Sequence, residues 1–347
     1  MTAIYLSHRY PQARISIFEK STNKSEQYWC CFKTDISDGA YRKIGQFCEK
    51  VWPQYVVKFS EFERILETEY MCFFSKTVRD NIRNFKNIQI NYGEAKINES
   101  SIHFQSNELF FDEIFDCRGA ILGNQEMSGF QKFYGLELEL EDSSNLPKIP
   151  VLMDATIEQI DGFRFLYILP VSQQRLFIED TRYSQNSDLN EEEYQREILN
   201  WVQKSSWTVK SISHVEKGVL PIPLIKKKES ADYRKVGLAG NRFHLITGYS
   251  LGAITQQLDE MLNNEKKSQR FKIQTSIFII LNRLMFWGVD SQDRIKIFKF
   301  FYKLPKDTIE RFYAGQLKLR DLRAFFSTSP PVSITKAIRI IFQSLFG

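Results

Sequence analysis

The sequence predicts a mixed α/β fold, and three observations support this prediction. The stretch from Val151 to Tyr183 has the composition of three strands, and its Asp161-Gly162 pair is typical of a hairpin turn. Near the N-terminus, a predicted helix over residues 1–9 precedes an apolar strand, Ala13–Phe18, that ends in Glu19. From Phe271 onward, apolar residues recur at helical spacing. We therefore expect part of a dinucleotide-binding unit, an antiparallel sheet and C-terminal helices.

The composition limits the classes of function. A chain of 347 residues is long enough for about two domains. Its 29 Phe and 15 Tyr suit an aromatic core, an apolar ligand tunnel or a membrane-facing patch. The net charge of +5 permits an anionic membrane surface or a phosphate-bearing cofactor and does not require nucleic acid. We expect a protein that is either soluble or peripherally bound to a membrane.

The five cysteines predict neither a metal site nor a disulfide framework. They form no C-x-x-C pair and have no histidine at metal-ligand spacing, so we expect no bound metal. The same pattern is typical of reduced thiols in a cytosolic protein, and no signal peptide is visible. The expected location is the cytoplasm, with peripheral association to a membrane.

The predicted catalytic residues are two adjacent carboxylates, Glu179 and Asp180, which follow the apolar Leu176–Ile178. Successive residues of a strand point to opposite faces of a sheet, so one of the two is expected to face apolar surroundings. Burial raises the pKa of a carboxyl group and keeps it protonated near neutral pH, as a general acid requires. The alternative is that Asp180 and Arg182 are simply charges in water at the end of a strand.

Three further segments suggest binding of an anionic cofactor. Glu19, at the end of its strand, matches the acid that binds a ribose hydroxyl in dinucleotide-binding units; an exposed strand-end carboxylate is the alternative. Arg118-Gly119 follows another strand and lets the backbone approach a phosphate-bearing ligand. Thr247, Gly248 and Ser250 precede the predicted helix Ala253–Leu262, whose N-terminus can hold an anion; an ordinary helix cap is the alternative.

Three other segments carry structural expectations. The spacing of Phe62, Ile65 and Leu66 predicts a helix over Glu61–Tyr70, and Val236–Gly240 resembles a short buried strand. The basic, amphipathic segment Ile334–Phe346 is expected either to lie on a membrane or to pack as a terminal helix.

Taken together, an ordered set of segments resembles the bacterial lycopene beta-cyclases, which are flavin-dependent carotenoid enzymes. The resemblance covers nearly the whole chain. The segments that carry it are Phe115-Asp-Cys-Arg-Gly119, Gly129–Phe133, Met153-Asp-Ala155, Asp161–Phe165, Leu176–Thr181, Gly218–Ile222, Thr247–Leu251, Leu281–Phe286, Arg311–Gly315 and Pro330-Pro-Val332.

This resemblance implies a flavin-monooxygenase-like fold and a specific reaction. The reaction is a proton-driven, redox-neutral cyclisation of the acyclic ends of lycopene to beta-ionone rings. Glu179 matches the essential acid of the family, and reduced FAD stabilises the carbocation. The resemblance implies FAD contacts at Glu19, Arg118 and Gly119 and at Thr247, Gly248, Tyr249 and Ser250, with NAD(P)H as a candidate reductant and a membrane surface as a partner.

The resemblance also divides the chain into three parts. Residues 1–60, 85–125 and 235–265 are assigned to an incomplete Rossmann-type FAD domain, residues 61–84 and 126–234 to the substrate-binding sheet, and residues 266–347 to a helical region with membrane contact. The family begins with a strand and a glycine-rich loop, whereas this chain starts after them, so we expect a start codon further upstream. The alternative functions are a flavin-dependent monooxygenase or halogenase acting on an apolar substrate, and an inactive, truncated remnant.

Overall fold

The protein is described by a computed structural model that covers residues 1–326 except 23–25, 99, 120–127, 142–144, 226–231, 233, 264–270 and 289. The strands are β1 Ile15–Glu19, β2 Tyr28–Phe32, β3 Lys50–Trp52, β4 Tyr55–Phe59, β5 Phe62–Leu66, β6 Tyr70–Phe74, β7 Ile88–Tyr92, β8 Ala95–Ile97, β9 Ser101–Phe104, β10 Asn107–Phe110, β11 Ser128–Leu140, β12 Val151–Asp154, β13 Phe163–Pro170, β14 Arg175–Ser184 and β15 Val209–Pro223. The α-helices are α1 Thr2–Arg9, α2 Asp38–Ile44, α3 Ser75–Ile82, α4 Glu191–Lys204, α5 Leu251–Asn263, α6 Phe271–Arg283, α7 Ser291–Phe301, α8 Lys306–Tyr313 and α9 Leu319–Phe326.

A seven-stranded sheet forms the centre of the molecule, in the order β15-β11-β14-β13-β12-β4-β5. The long strands β15, β11, β14 and β13 pair antiparallel, whereas β12 pairs parallel to β4. One face of this sheet packs against α4 through aliphatic side chains. The other face carries a large aromatic core that also includes residues of α6, α7 and α8. The two faces therefore differ in chemistry, because residues alternate between them along each strand.

The remaining strands form three small sheets. Strands β1 and β7 pair parallel, β8, β9 and β10 form an antiparallel meander, and β2, β6 and β3 form a third sheet. Helices α1, α2, α3 and α5 pack around the first of these in a separate apolar core. The mixed α/β fold class predicted from the sequence is thus confirmed.

Two local predictions differ from the structure. The segment expected to be helical over Glu61–Tyr70 is instead β5, because Glu61 adopts a positive φ of 58° and closes a tight hairpin with β4. The expected strand Val236–Gly240 contains a short 3₁₀ turn, Gly237–Gly240, although the neighbouring Lys235 forms an isolated parallel bridge with Asp116. Tertiary pairing overrides spacing in segments as short as these.

The observed pairing also crosses the domain boundaries expected from the sequence. Strand β4 was expected in the cofactor part, yet it pairs within the seven-stranded sheet. Strand β6 was expected in the substrate part, yet it pairs with β2 and β3, and α3 packs its buried Val78 and Ile82 into the N-terminal core. Strands β4 and β6 therefore each pair in the sheet of the part to which the other was assigned.

The C-terminal helices are fixed to the aromatic face of the large sheet. Phe298 of α7 stacks on Phe163 of β13 with ring centroids 4.3 Å apart. Arg64 of β5 donates hydrogen bonds to the carbonyl oxygens of Tyr302 and Leu304, at 2.6 and 2.7 Å. Among the residues that the structure describes, no helix is both long and apolar enough to span a bilayer. The predicted membrane segment Ile334–Phe346 lies outside these residues.

Candidate active site

Strand β14 distributes its side chains between two environments. Phe177 and Tyr183 belong to the aromatic core, whereas Leu176 and Ile178 belong to the aliphatic core beneath α4. Glu179 has the same parity as Phe177 and Tyr183, so it projects from the aromatic face. The two adjacent carboxylates of the sequence are therefore on opposite sides of the sheet.

Glu179 is a half-buried carboxyl group with a strongly perturbed pKa. Burial is the main cause and raises the pKa of Glu179 to about 8. The hydroxyl of Thr181 donates a hydrogen bond to Glu179 Oε1 at 2.5 Å, and this bond lowers the pKa of Glu179. The negative charges of Glu216 and Asp180 raise the pKa of Glu179 further. Glu179 is consequently protonated at neutral pH and can donate a proton.

The surroundings of Glu179 are rich in aromatic rings. It is paired across the sheet with Tyr167 of β13, whose hydroxyl lies 2.9 Å from the hydroxyl of Tyr70. The Tyr183 hydroxyl donates to the carbonyl oxygen of Ile246 at 3.2 Å. Tyr249 is 39% exposed. The pKa of its phenol is raised mainly by burial and further by the charge of the nearby Glu179 carboxyl. The half-buried acid therefore lies among aromatic side chains.

Asp180 does not reach this face. Its carboxylate is fully buried under α4 and forms ion pairs with Arg164 at 2.8 Å and Arg182 at 3.1 Å. The same two arginines continue to Glu197 and Glu193 of α4. The geometry thus gives Asp180 a role in joining the sheet to α4, and it separates Asp180 from the aromatic face on which Glu179 lies.

Residues 244–250 form a closely bonded loop before α5. The Thr247 amide donates to His244 Nδ1 at 3.2 Å, the Gly248 amide donates to the His244 carbonyl at 2.8 Å, and the Tyr249 amide donates to Thr247 Oγ1 at 3.3 Å. These three amides are therefore used inside the loop. The amides that can bind an anion are those of Ser250 and the first turn of α5, which precede the helical hydrogen bonding.

His244 ties this loop to α8. Its Nε2 lies 3.0 Å from the carbonyl oxygen of Phe312, and because Nδ1 accepts from Thr247, Nε2 carries the proton. Burial lowers the pKa of His244 to about 4, so the ring is neutral at physiological pH. Gly248 is required in the loop because its φ is +71° and an added Cβ would meet Leu220.

The other predicted cofactor residues line a large cavity. It has a volume of about 2060 Å³, compared with roughly 300–1,000 Å³ for ordinary ligand pockets, and Glu19, Arg118 and Gly119 are in its wall. Arg118 forms an ion pair with Asp116 at 2.8 Å, and an added Cβ on Gly119 would meet no atom of the described residues within 4 Å. The cavity also reaches Glu260–Leu262, in the last turn of α5.

The predicted cofactor residues thus fall into two groups at opposite ends of α5. Thr247–Ser250 precede its first turn, and the cavity with Glu19 and Arg118 reaches its last turn. A helix of 13 residues is about 20 Å long, so an elongated ligand is needed to contact both groups. The structure does not bring them together at one point.

Three residues of the site were missed at the sequence level: Tyr70, Gly135 and Glu216. Gly135 of β11 pairs with both Glu179 and Glu216, which places all three in one row across the sheet. An added Cβ at Gly135 would overlap the ring of Phe177. A glycine inside a strand is a signal of close approach, and it could have indicated this position.

The fold is similar to those of a flavin-dependent brominase and a monooxygenase of known structure. It resembles a triple mutant of the flavin-dependent brominase Bmp2 with a TM-score of 0.55 at 10% identity, over 99% of this chain and 96% of that one. It also resembles the p-nitrophenol 4-monooxygenase PnpA from Pseudomonas putida DLL-E4 with a TM-score of 0.53 at 11% identity, over 100% and 95% of the two chains. These likenesses confirm the flavin-monooxygenase-like fold.

Comparisons of the sequence are more specific. The chain is 29% identical over 361 residues to a lycopene beta-cyclase from Pantoea ananas, covering 98% of this chain and 94% of that protein. It is 29% identical over 363 residues to a lycopene beta-cyclase from a Paracoccus species, with the same coverage. The sequence model described as "Lycopene cyclase protein" matches residues 3–339. The chain therefore belongs to the lycopene cyclase family of enzymes.

Proposed function

We propose that this protein is a lycopene beta-cyclase in which Glu179 is the general acid. The proposal rests above all on one observation, the placement of the half-buried carboxyl of Glu179 on the aromatic face of the central sheet, where burial raises its pKa. The substrate would be a long hydrocarbon with no polar group to bind, so an aromatic wall suits it. The names of the similar proteins support this choice of substrate.

The proposed reaction begins with proton transfer. Glu179 gives its proton to one carbon of a terminal double bond, and a tertiary carbocation forms at the other carbon. A second double bond attacks this cation and closes the ring, and loss of a proton then forms the beta-ionone double bond. The sum of these steps is an isomerisation, in which no electrons are gained or lost.

The aromatic side chains have two roles in this reaction. The rings of Tyr167, Phe177 and Tyr249 present negative faces, and a cation near such a face is stabilised by about 0.5–2 kcal/mol per ring. The rings also keep water away from the cation, because hydration would give an alcohol instead of an alkene. Thr181 holds the carboxyl of Glu179 in a fixed orientation.

FAD is the proposed cofactor, and the residues present fit it. Glu19 would bind the ribose, Arg118 and Gly119 would lie along the cavity, and the amides of Ser250 and the first turn of α5 would face the anionic end of the cofactor. When bound in its reduced form, with NAD(P)H as the proposed electron source, the flavin supplies negative charge that favours a nearby cation.

A membrane surface is the proposed source of the substrate. Leu319 at the start of α9 is 75% exposed and is flanked by the exposed cations Lys318 and Arg320. An exposed apolar residue between cations is suited to the surface of an anionic bilayer. Sedimentation with anionic vesicles should recover more wild-type protein than Leu319→Gln, whereas the surface control Ile212→Gln should behave as wild type. Equal recovery of all three proteins would remove this part of the proposal.

The main experiment measures carotenoid products together with the consumption of NAD(P)H and oxygen. The full chain, supplied with FAD, a reductant and lycopene in vesicles, should convert lycopene to monocyclic and bicyclic products without stoichiometric consumption of NAD(P)H or oxygen. Glu179→Gln should retain flavin and fail to form rings. Unchanged lycopene with folded, reduced holoprotein would contradict the cyclase function, and substrate-dependent oxygen consumption would favour a monooxygenase instead.

A further inference from the structure

A second carboxyl group lies in the same row of the sheet as Glu179. Glu216 of β15 is paired with Gly135 of β11, and Gly135 is paired on its other side with Glu179 of β14. Residues paired directly across antiparallel strands project from the same face. The two glutamates therefore project from the aromatic face on either side of Gly135, and the ring of Phe177 lies over that glycine.

The electrostatics agree with this placement. The charge of Glu216 is one of the causes that raise the pKa of Glu179, so the two carboxyl groups interact. The neighbouring strands are about 4.8 Å apart, which puts the two Cα atoms about 10 Å apart and within reach of two converging glutamate side chains. The ring of Phe177 lies over Gly135, so it occupies part of the space between the two glutamates.

Glu216 is held from the side of the small sheet formed by β2, β6 and β3. The Tyr28 amide donates a hydrogen bond to Glu216 Oε2 at 3.2 Å, which favours the charged carboxylate. The groups that face Glu216 are Glu26 before β2, Tyr28 on β2, Cys72 on β6 and Glu179 on β14. Burial raises the pKa of Glu216 to about 7, with the Tyr28 amide opposing and Glu26 adding to the shift.

We propose that Glu179 and Glu216 act as a carboxyl pair that holds one proton in the resting enzyme, with Glu179 as the acid and Glu216 as the base. The proposal rests on the cyclisation argued above, which needs both a proton donor and a proton acceptor. Two carboxyl groups whose environments separate their affinities for a proton are a recurrent basis for such assignments.

The proton balance of the pair closes over one turnover. The O–H bond of Glu179 breaks as a C–H bond forms on the substrate, and ring closure then forms a C–C bond. A ring C–H bond breaks, its electrons become the new double bond, and the proton goes to the carboxylate of Glu216. Loss of that proton from Glu216 and uptake of a proton by Glu179 restore the resting state. No oxidant or reductant is consumed.

The test compares Glu216→Gln and Glu216→Asp with the control Glu137→Gln. Glu137 lies on β11 on the same face and binds Arg175 at 2.6 Å and the hydroxyl of Tyr28, so it controls for loss of a charge near the row. We expect Glu216→Gln to lower kcat at least about 100-fold with KM unchanged, and Glu216→Asp to recover part of it. We expect Glu137→Gln to remain close to wild type.

The pH profile separates a proton carrier from a merely structural residue. Wild-type kcat should fall on the acid side near pH 7, where Glu216 becomes protonated, and on the alkaline side near pH 8, where Glu179 loses its proton. Glu216→Gln should lose the acid-side dependence. If Glu216→Gln has the kcat and the pH profile of Glu137→Gln, the pair is excluded.

A second measurement does not depend on cyclase activity. In protein labelled with ¹³C at the glutamate carboxyl carbons, the titration midpoint of Glu179 should move to lower pH in Glu216→Gln, because the neighbouring negative charge is gone. An unmoved midpoint would overturn the pair. If the wild type fails to cyclise lycopene but the midpoint moves, the proposed function fails and the carboxyl pair stands.

Discussion

Glu179 and Asp180 are joined by one peptide bond, yet their carboxyl groups lie on opposite faces of the central sheet. Glu179 faces aromatic rings and has a pKa raised to about 8, whereas Asp180 is held by Arg164 and Arg182 beneath α4. We therefore expect the two residues of one short segment to serve the proposed chemistry and the stability separately, and the first two predictions distinguish these roles.

Glu179 should make the stability of the protein fall as the pH rises. Its pKa is higher in the folded state, about 8, than the ordinary value of 4.5, so the folded protein binds the extra proton between these pH values and stability declines through that window. Glu179→Gln should unfold at about the same temperature as wild type at pH 4 and at least about 2 °C higher at pH 9. Calorimetry at the two pH values measures this; a lower unfolding temperature of the variant at pH 9 would contradict it.

Asp180→Asn should damage the fold rather than the chemistry alone. It removes the negative charge between two buried arginines, and breaking a buried ion pair typically costs about 3–5 kcal/mol. Urea unfolding should show this loss at neutral pH. The control Glu139→Gln, which changes an exposed ion pair with Lys210 and a hydrogen bond from the Ser211 hydroxyl, should change stability by less than about 1 kcal/mol. Equal effects of the two changes would refute the assigned role of Asp180.

Gly135→Ala should be destabilising because the new Cβ would overlap the Phe177 ring. Overpacking of this kind typically costs about 1–3 kcal/mol. Combining it with Phe177→Leu should cost less than the sum of the two single changes, since the smaller side chain makes room. A double-mutant cycle by urea unfolding measures the coupling, and strict additivity would argue against this contact.

His244 should make stability depend on pH in the opposite direction. Burial lowers its pKa to about 4 from the ordinary 6.5, so the unfolded chain binds a proton that the folded protein excludes. The stability that His244 contributes is present above pH 6.5 and is lost as the pH falls toward 4. His244→Gln should flatten the stability curve in this range, as followed by urea unfolding at pH 7.5 and pH 5. A curve identical to that of wild type would contradict the assignment.

Glu19→Gln should weaken FAD binding by roughly tenfold, the effect of losing one hydrogen bond to a charged group. The carboxylate lies at the end of β1 in the wall of the large cavity. Titration of the apoprotein with FAD, followed by flavin fluorescence, measures the change. Glu113→Gln, in the same wall, is the control, and equal weakening by both changes would show that only the negative charge of the cavity matters.

The strands that carry the acid could be predicted because their patterns are strong. Phe163, Phe165 and Tyr167 alternate with smaller or charged residues, and the structure has these residues on β13 facing the aromatic core. The hairpin at Asp161-Gly162 has positive φ at both residues, as its sequence indicates. In short segments the spacing of apolar residues does not distinguish a helix from a strand. For this reason the spacing of Phe62, Ile65 and Leu66 predicted a helix where the structure has β5.

Glu216 could not be predicted from its own surroundings in the sequence. The residues around it on β15 include Lys210, Ser211, Ser213 and Lys217, a composition typical of a solvated strand. Its burial comes from the segment at Tyr28, 188 positions away in the chain, and its alignment with Glu179 comes from the register through Gly135. Both are tertiary features, and local spacing carries no information about them.

The separation of the predicted cofactor residues into two groups, one at each end of α5, is also a tertiary feature that the sequence could not predict. Thr247–Ser250 and Glu19 both suggested binding of an anionic cofactor, but the sequence does not give the distance between these two sites. The structure sets about 20 Å of helix between the loop and the cavity wall. The structure also uses the amides of Thr247, Gly248 and Tyr249 inside the loop, so the amides available to an anion begin at Ser250, three positions after the start of the sequence pattern.

The alternation along β14 has a practical consequence for any mutational survey of this enzyme. Substitutions along β14 should alternate in their effect from one residue to the next. Those at odd-numbered positions from 177 to 183 should change which pigments accumulate in cells. Those at even-numbered positions from 176 to 182 should change how much intact protein is recovered. A survey that scores colour alone would confuse the two kinds of defect at every second residue.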